Sequence, residues 1–482
     1  MPDTRPVLFI LGLFVVALGV AMLLPMLVDA ATGHPDWQIF ALGAGVTVFV
    51  GGALILMNRS EAVTLDVRQG FLLTTCSWLV ICAFAALPFT FGEVNLSFTD
   101  AFFEAMSGLT TTGSTIMVGL DAMPPGVLLW RALLQWLGGI GIIAMAVAML
   151  PFLRVGGMQL FRMESSDRSA KILPRAGQIA ASFGAAYFVL SVACAVCYWI
   201  AGMGAFDAIT HAMATLSTGG FANYDSSFGH YGSAAIDWVG TLFMLAGGAP
   251  FVLFVQALRG TPSALWRDSQ VHAYLGVVGA ASAGLAVWLW LTRDMGFMDA
   301  LHHSAFNVVS VVTTTGFAST DYTTWGSLAV AVFFFLTFVG GCTGSTAGGI
   351  KLFRFEVAMI LMKSQMRRLA HPSGVFVRLY HGRPLTDEVV NSVSVFIFVY
   401  VVAFALIATG LALVGLDLVT SASGAVTALS NVGPGLGPII GPAGNFAPLP
   451  DAAKWLLSLG MLLGRLEFFT VLVLLTPKFW RP

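Results

Sequence analysis

Charged side chains are scarce in this sequence. Asp, Glu, Lys and Arg make up 10% of the 482 residues, against about 25% in an ordinary soluble protein. Hydrophobic residues make up 57%, so the composition predicts an integral membrane protein. The formal net charge is only −1, and the arginines lie in short loops between apolar runs, which argues against a nucleic-acid partner.

Motifs for metal or redox chemistry are also lacking. All five cysteines lie in apolar segments, where a free cysteine behaves as a small buried hydrophobe. Cys194 and Cys197 have the CxxC spacing but no second pair, so packing is the preferred interpretation. The eight histidines form no HExxH motif or other ligand cluster in the sequence. We therefore expect no catalytic metal and no cofactor on this chain.

The N-terminal apolar run, about residues 6–28, could be mistaken for a signal peptide because residues 28–30 loosely resemble a cleavage site. A signal peptide has an apolar core of about 7–15 residues. This run is longer, and a second run at 40–57 follows at once. Since about 20 apolar residues cross a bilayer, residues 1–68 are predicted to form an uncleaved transmembrane hairpin of two helices.

A pattern that occurs four times follows the hairpin. Each copy has a long apolar segment, a short helical segment, a glycine-bearing loop and a second long apolar segment. The loop glycines fall roughly one hundred residues apart, which indicates an internal repeat; they are Gly113, Gly220, Gly316 and Gly433. The predicted repeats are 69–171, 172–262, 263–378 and 379–482. The predicted spans are 70–91, 127–150, 178–201, 235–257, 271–292, 324–350, 389–413 and 454–476, which with the hairpin gives ten.

The short segments at 99–110, 206–216, 298–312 and 420–429 are predicted to be pore half-helices. At about 1.5 Å per residue, a dozen residues reach about 18 Å, which is only part of the roughly 30 Å hydrocarbon core. Asp100, Asp207 and Asp299 lie at three of the starts, where an acidic residue caps free N–H groups. The predicted fold is an all-α integral membrane protein with pseudo-fourfold repeats around a central pore.

The basic residues give the orientation. Most fall at the ends that ten spans would place together, and the positive-inside rule makes those ends cytoplasmic. Examples are Arg59, Arg259, Lys351 and Lys478, with Arg293 as the exception. Both termini are therefore predicted to be cytoplasmic.

The glycine loops are predicted to form an ion filter. Non-helical backbone at membrane depth is tolerated only where protein buries it or where it lines a watery cavity. Glycine permits the positive φ that turns backbone carbonyls toward an ion. The alternative is that each glycine merely ends a helix, but four copies between spans favour a filter. The predicted filter residues are Thr111, Thr112, Gly113, Thr218, Gly219, Gly220, Thr314, Thr315, Gly316, Asn431, Val432 and Gly433.

This plan resembles that of the TrkH/TrkG/KtrB/HKT superfamily of potassium transporters, and the N-terminal hairpin is similar to that of the TrkH type. The resemblance covers essentially the whole chain and rests on Thr111-Thr-Gly113-Ser, on 305–318, on 340–351 and on Gly464-Arg-Leu-Glu467. It implies potassium uptake across the bacterial inner membrane. In the family a serine at the first filter glycine goes with sodium transport, so Gly113 favours potassium. The resemblance places K⁺ at Thr111, Thr112, Thr218, Gly219, Thr314, Thr315, Asn431 and Val432.

Alternative transport activities stay open at this point. They are conduction of another monovalent cation, such as Na⁺ or NH₄⁺, and proton-coupled symport. A membrane-embedded enzyme with Ser345 as nucleophile is disfavoured, because the sequence has no GxSG-type site and no paired membrane aspartates.

Residues 340–349 include five glycines midway along a predicted span, and a helix loses about 1 kcal/mol per glycine relative to alanine. A close helix contact of the GxxxG kind is the alternative. The resemblance implies an unwound loop beneath the filter that blocks or opens the path. Ile350 breaks the Gly-Lys pair of a phosphate-binding loop, so nucleotide binding is rejected. The predicted gate residues are Gly340, Gly341, Thr343, Gly344, Ser345, Gly348, Gly349 and Arg465.

Arg465 lies near the middle of the last predicted span, where a charge is costly and indicates a function. We expect it to face the pore and to donate hydrogen bonds to carbonyls of the 340–349 loop, and the resemblance points the same way. Glu467 is expected either to pair with a basic group such as Lys351 or to lie at the membrane interface.

The resemblance also implies partners. Relatives form homodimers and sit on cytoplasmic regulatory subunits of the TrkA type, which bind NAD(H) or adenine nucleotides. The basic segments 154–175 and 363–383 are candidate docking surfaces. Attraction to membrane lipid of the inner leaflet explains these segments equally well.

Overall fold

The computed structural model describes residues 3–59, 65–149, 176–380 and 382–481. The candidate docking segment 154–175 lies outside these residues. Within them the chain is predominantly helical, and two short strands, Leu379–Tyr380 and Arg383–Pro384, form a hairpin.

The N-terminal hairpin is the first element. It consists of Arg5–Ala21, Leu23–Thr32 and Trp37–Met57. Its two arms approach closely at a pair of glycines, because a methyl group added to Gly12 would lie 2.8 Å from the Gly51 carbonyl oxygen. Small residues at a helix contact of this kind let two backbones pack tightly in a membrane.

The helices of the remaining chain follow in the predicted order. The first predicted repeat contains Val67–Ala85, Leu87–Phe91, Phe98–Leu109, Leu120–Ala122 and Pro125–Met149. The second contains Ala176–Ile200, Ala205–Leu216, Ser227–His230, Ala234–Gly247 and Phe251–Leu258. The third contains Ser263–Arg267, Ser269–Thr292, Phe297–Val312, Tyr322–Trp325, Ser327–Leu336 and Leu352–Ala370. The fourth contains Asp387–Leu413, Leu418–Ser430, Gly437–Ile440, Asp451–Arg465, Phe469–Leu472, Val473–Leu475 and Pro477–Trp480.

Seven helices in the described part of the chain are long and apolar enough to cross a membrane. Two further pairs of helices pass the same test as bent spans. They are Ala234–Gly247 with Phe251–Leu258, bent by 98°, and Asp451–Arg465 with Phe469–Leu475, bent by 106°. The prediction of an all-α integral membrane protein is confirmed, whereas the repeat boundaries and the count of ten spans stay predictions.

Three segments predicted as continuous spans are broken. The segment 235–257 breaks before Phe251, where Pro250 cannot continue the hydrogen-bond ladder of a helix. The segment 454–476 breaks at Glu467 and Phe468, whose φ values of 55° and 56° a right-handed helix cannot contain. The segment 324–350 contains the end of the short helix Tyr322–Trp325 and the helix Ser327–Leu336, and no helix follows Leu336 within it.

The four short helices inside the repeats are called the first to fourth pore helices below. They are Phe98–Leu109, Ala205–Leu216, Phe297–Val312 and Leu418–Ser430, within two residues of the predicted bounds. Acidic residues lie in the first turn of three of them, as expected. The fourth is capped by Asp417, whose side chain accepts hydrogen bonds from the N–H groups of Val419 and Thr420.

Candidate functional site

All four pore helices end in the same hydrogen-bond pattern. In the first, the N–H of Thr111 donates to Gly108 O at 3.0 Å, and the N–H of Thr112 donates to Ser107 O at 2.8 Å. This is the Schellman arrangement, in which the last helical carbonyls are satisfied by a residue of left-handed conformation. The left-handed residues have φ between 52° and 57° and are Thr111, Thr218, Thr314 and Asn431.

The left-handed residue that ends each helix is thus a threonine or an asparagine, and not the glycine. A left-handed conformation costs a β-branched residue about 1–2 kcal/mol, while the glycine that would adopt it freely stands two residues further on. Backbone strain of this kind is found mainly at functional sites. The repeated use of a strained residue therefore supports a role beyond ending a helix.

A second left-handed residue follows in every loop. The glycines have φ values of 87°, 77°, 86° and 112°, in the order Gly113, Gly220, Gly316 and Gly433. Alternation of right- and left-handed residues makes successive N–H groups converge on one side of a backbone. The residues between the two left-handed positions have no positive φ, so the sign of φ alternates along each loop, which a continuous right-handed helix does not allow.

The four loops meet in a closed ring. A methyl group added to each glycine would collide with the carbonyl oxygen that directly precedes the glycine of the next loop. The pairs are Gly113 with Gly219, Gly220 with Thr315, Gly316 with Val432, and Gly433 with Thr112. The last pair returns to the first loop. The structure therefore brings together one glycine and one preceding residue from every predicted repeat, in chain order.

Side chains behind the ring hold it in place. The amide of Gln135 donates to Gly219 O at 2.6 Å and accepts from the N–H of Phe221 at 3.0 Å. Ser114 Oγ donates to Gly433 O at 2.8 Å, which joins the first loop to the fourth. Gln135 was not singled out from the sequence, because it contacts the ring only in the folded chain, whereas Ser114 was part of the motif Thr111-Thr-Gly113-Ser without an assigned role.

A cavity of about 220 Å³ opens on the glycine side of the ring. Gly113, Gly220 and Gly316 contribute to its lining, and Pro434 contributes from the fourth loop. The threonines of the ring are fully buried. The cavity therefore reaches the ring from the side of the glycines and not from the side of the pore-helix ends.

Residues 340–349 lie against the pore-helix ends. The N–H of Gly348 donates to Thr314 Oγ1 at 2.7 Å, and Thr346 Oγ1 lies 3.2 Å from Thr218 Oγ1. A methyl group added to Gly348 would collide with Ser430 O. This segment has no helical residues, so it is an unwound loop, and it contacts the second, third and fourth filter loops directly.

The same loop is bonded to the break in the second repeat. Gly247 and Gly248 lie where the helix stops, so their carbonyl oxygens have no helical partners. The N–H groups of Thr346 and Cys342 donate to them at 3.3 and 2.9 Å. In return, Gly344 O accepts from the N–H of Phe251 at 3.0 Å. The broken helix and the unwound loop thus supply hydrogen-bond partners for each other's backbone N–H and C=O groups.

Other predicted gate residues have local partners. The N–H of Thr343 donates to Gln270 Oε1 at 3.1 Å, and Ser345 Oγ donates to Cys342 O at 2.6 Å. The N–H of Gly340 donates to Ile350 O at 3.0 Å, which closes the base of the loop.

Arg465 connects this loop to the first filter loop. It is 5% exposed, and its Nη2 atom donates to Thr111 Oγ1 at 2.6 Å and to Thr346 O at 2.9 Å. Among the described residues, no carboxylate lies within ion-pair distance of it. Arg465 also ends the helix Asp451–Arg465, where a positive charge suits the negative end of the helix dipole.

Glu467 pairs with a basic group, which was one of the two expectations, but this group is Arg354 and not the suggested Lys351. Its Oε2 atom accepts from Arg354 Nη2 at 2.7 Å, rather than pairing with Lys351. Arg354 also stacks on Phe396 at 3.6 Å from the ring centre. Arg354 lies in the helix that follows the unwound loop, so this ion pair ties that helix to the break in the last span.

Sequence reasoning missed a buried ion pair beside the ring. Arg131 Nε donates to Glu104 Oε1 at 2.9 Å, and the two side chains are 1% and 0% exposed. Arg131 also donates to Ala222 O at 2.8 Å, and Glu104 accepts from the N–H of Ile116 at 2.9 Å. Both charges lie in segments predicted to be in the membrane, which was a signal for a functional or structural role.

Comparisons with known proteins agree along the whole chain. The model of the TrkH family, described as cation transport protein, matches residues 37–278 and 291–481. The Trk system potassium uptake protein TrkI of Halomonas elongata is 50% identical, with 100% of both chains covered. The Trk system potassium uptake protein TrkH of Escherichia coli is 38% identical, with 99% of both chains covered.

A solved structure agrees as well. The crystal structure of the potassium transporter TrkH from Vibrio parahaemolyticus superimposes with a TM-score of 0.92 at 36% identity, over 99% of this chain and 100% of that one. The resemblance inferred from the sequence is therefore confirmed. The chain belongs to the TrkH family of cation transport proteins and is a multi-pass membrane transporter rather than an enzyme.

Proposed function

We propose that this protein takes up K⁺ across the bacterial inner membrane, through a filter formed by the ring of four loops. K⁺ is bound by backbone carbonyls of Thr111, Thr112, Thr218, Gly219, Thr314, Thr315, Asn431 and Val432. The closed ring is the observation that carries the proposal, because each of four unlike loops lies against a backbone carbonyl of the next and the loops carry no side-chain charge. The names of the relatives support potassium as the ion.

The electrical driving force is sufficient for accumulation. A membrane that is negative inside supplies about 2.3 kcal/mol per charge for each 100 mV. The pore-helix ends add partial negative charge toward the ring, which favours a cation there. Entry of K⁺ down this gradient requires no coupled ion.

In this proposal the 340–349 loop is the gate. It lies against the pore-helix ends of the ring, and Arg465 holds it through Thr346 O while it also bonds the Thr111 side chain. A shift of the loop away from Thr314 and Thr218 opens the path. Arg465 thus couples the loop to the first filter loop, and direct bonds from the loop to Thr314 and Thr218 couple it to the third and second.

The relatives' names refer to a Trk system, and this is the basis for the proposed assembly. We propose a homodimer, with cytoplasmic termini, that binds a cytoplasmic regulatory subunit of the TrkA type carrying NAD or an adenine nucleotide. Arg367 and Arg368 at the end of the helix Leu352–Ala370 are available for this contact or for acidic lipid.

Uptake of ⁸⁶Rb⁺ into proteoliposomes tests the proposal. Vesicles that hold the purified protein and a high K⁺ concentration are diluted into low K⁺ with trace ⁸⁶Rb⁺, so that K⁺ efflux makes the interior negative. We expect ⁸⁶Rb⁺ to accumulate and external K⁺ to compete with it. Protein-containing vesicles that accumulate no more ⁸⁶Rb⁺ than protein-free ones would contradict the proposal.

The alternative ions are tested in the same vesicles. External Na⁺ or NH₄⁺ that competes with ⁸⁶Rb⁺ as well as K⁺ does would indicate a general conductor of monovalent cations. Abolition of uptake by a proton ionophore, when the imposed voltage is held constant, would indicate proton-coupled symport.

A further inference from the structure

Three side chains that have no part in the ring meet at the start of the third pore helix. His302 and His303 lie in its second turn, and Asp237 lies in the first turn of the helix Ala234–Gly247. One ligand atom from each residue lies within 4.8 Å of the other two. Asp237 is 4% exposed, although it carries a carboxylate.

Two polar atoms of this cluster, His302 Nε2 and Asp237 Oδ1, have no hydrogen-bond partner. His302 Nε2 lies within ion-pair distance of Asp237 Oδ2, at 3.0 Å, but it makes no hydrogen bond. Asp237 Oδ1 is also buried without a donor. A buried polar atom left in this state costs about 1–3 kcal/mol, so a group that contacts both atoms would stabilise the fold.

The spacing suits a metal ion. Ligands of one tetrahedral Zn²⁺, each at about 2.0–2.1 Å from the metal, lie roughly 3.3 Å apart. The 3.0 Å contact between His302 and Asp237 is close to this value. Two imidazoles and one carboxylate favour Zn²⁺ or a similar divalent transition metal, whereas Ca²⁺ and Mg²⁺ prefer ligand sets made of oxygen atoms.

The surroundings of His303 support the same conclusion. Its Nδ1 atom lies 3.1 Å from Ser319 Oγ, and the amide of Asn307 donates to the same oxygen at 3.0 Å. A hydrogen bond at one ring nitrogen fixes the orientation of the imidazole and leaves the other nitrogen for a metal. Ser319 belongs to the segment that follows the filter glycine Gly316, so the cluster is joined to the ring through one hydroxyl.

We propose that Asp237, His302 and His303 bind one divalent transition metal ion of the Zn²⁺ class, with the remaining coordination position open to water. The two histidines are only partly buried, which leaves a path for the ion and the water. The site joins the third pore helix to a helix of the second repeat.

Titration of the purified full-length protein with Co²⁺ tests the proposal, because tetrahedral Co²⁺ absorbs strongly in the visible range. We expect one Co²⁺ per chain at this site, displaced by Zn²⁺. His302→Asn and Asp237→Asn should each weaken binding at least tenfold. The matched control is His34→Asn, because His34, Asp36 and Glu93 form the other described cluster of this kind. The His34→Asn variant should bind Co²⁺ at Asp237, His302 and His303 as wild type does.

The opposite pattern would overturn the proposal. A wild-type protein that binds no Co²⁺ below millimolar concentration, or a His302→Asn variant that titrates like wild type, rejects the site and leaves a plain His–Asp contact. The change in unfolding temperature on addition of Zn²⁺ is a second test, which also serves for a variant of low stability because it is compared within one protein. Zn²⁺ should raise the unfolding temperature of wild type but not of His303→Gln. An equal rise in both proteins also rejects the site.

Discussion

Replacement of Arg465 by methionine tests the proposed gate most directly. Methionine has similar length and no charge, so the substitution removes the hydrogen bonds to Thr346 O and Thr111 Oγ1 with little change in volume. A hydrogen bond from a charged donor is worth about 1.5–3 kcal/mol. If the bond to Thr346 O holds the loop closed, its loss increases the open population, and hence ⁸⁶Rb⁺ flux, by about 10- to 150-fold.

The stability of the variant separates a gate from a folding role. Arg465 is buried and has no carboxylate partner among the described residues, and such a charge carries a desolvation penalty of several kcal/mol. Arg465→Met removes that penalty, so the unfolding temperature should stay the same or rise while flux rises. An arginine that only supports folding would give the reverse, with a lower unfolding temperature and no increase in flux.

Thr346→Val is the matched comparison. It keeps the shape of the side chain but removes the bonds from Thr346 Oγ1 to Leu216 O at 3.0 Å and to Gly247 O at 3.1 Å. A neutral hydrogen bond contributes about 0.5–1.5 kcal/mol, so flux should increase less than in Arg465→Met. A folded Arg465→Met protein with wild-type flux would refute the gate, whatever the valine variant does.

Two further predictions concern the ring and the ion pair beside it. Gly433→Ser should reduce the preference for K⁺ over Na⁺ in ⁸⁶Rb⁺ competition, because a Cβ there lies 2.8 Å from a backbone carbonyl oxygen. Gly316→Ser brings its Cβ closer to a carbonyl oxygen and should abolish flux. Normal selectivity in both variants would remove these loops from the filter. Glu104→Gln leaves the buried Arg131 without a counter-charge and should lower the free energy of unfolding by about 3–5 kcal/mol. Arg378→Met, which breaks the exposed pair with Asp387, should cost about 1 kcal/mol or less, and an equal loss in the two variants would contradict the role of burial.

The pore helices could be predicted from sequence because their signals are local. An acidic first turn in three of them and, in all four, a short length and a glycine after the end predicted the bounds within two residues. The breaks in the long spans could not be predicted in this way. The break before Phe251 is stabilised by N–H groups of Thr346 and Cys342, which lie about one hundred residues away in the chain.

The same distinction applies to the candidate site. The residues of the loops were visible as four copies of one pattern, and Arg465 was visible as a charge in an apolar segment. The supporting contacts were not visible, since Gln135 of the first predicted repeat bonds Gly219 of the second only in the folded chain. The true partner of Glu467 was also hidden, because the break at Phe468 redirects the chain toward Arg354.

The bonds that hold the 340–349 loop suggest why a partner protein could control it. Most of them join the loop to backbone or hydroxyl oxygens at helix ends, such as Gly248 O and Thr314 Oγ1. When the loop moves, water entering the path can replace these bonds, so each contributes only about 0.5–1.5 kcal/mol to the closed state. Arg465 is different, because its guanidinium bonds the loop and the filter through the same nitrogen. A regulatory subunit that binds the open state a few kcal/mol more tightly than the closed state is therefore enough to shift the proposed gate. The helix that begins at Leu352 directly follows the loop, so movement of this helix is the proposed link between such a subunit and the loop.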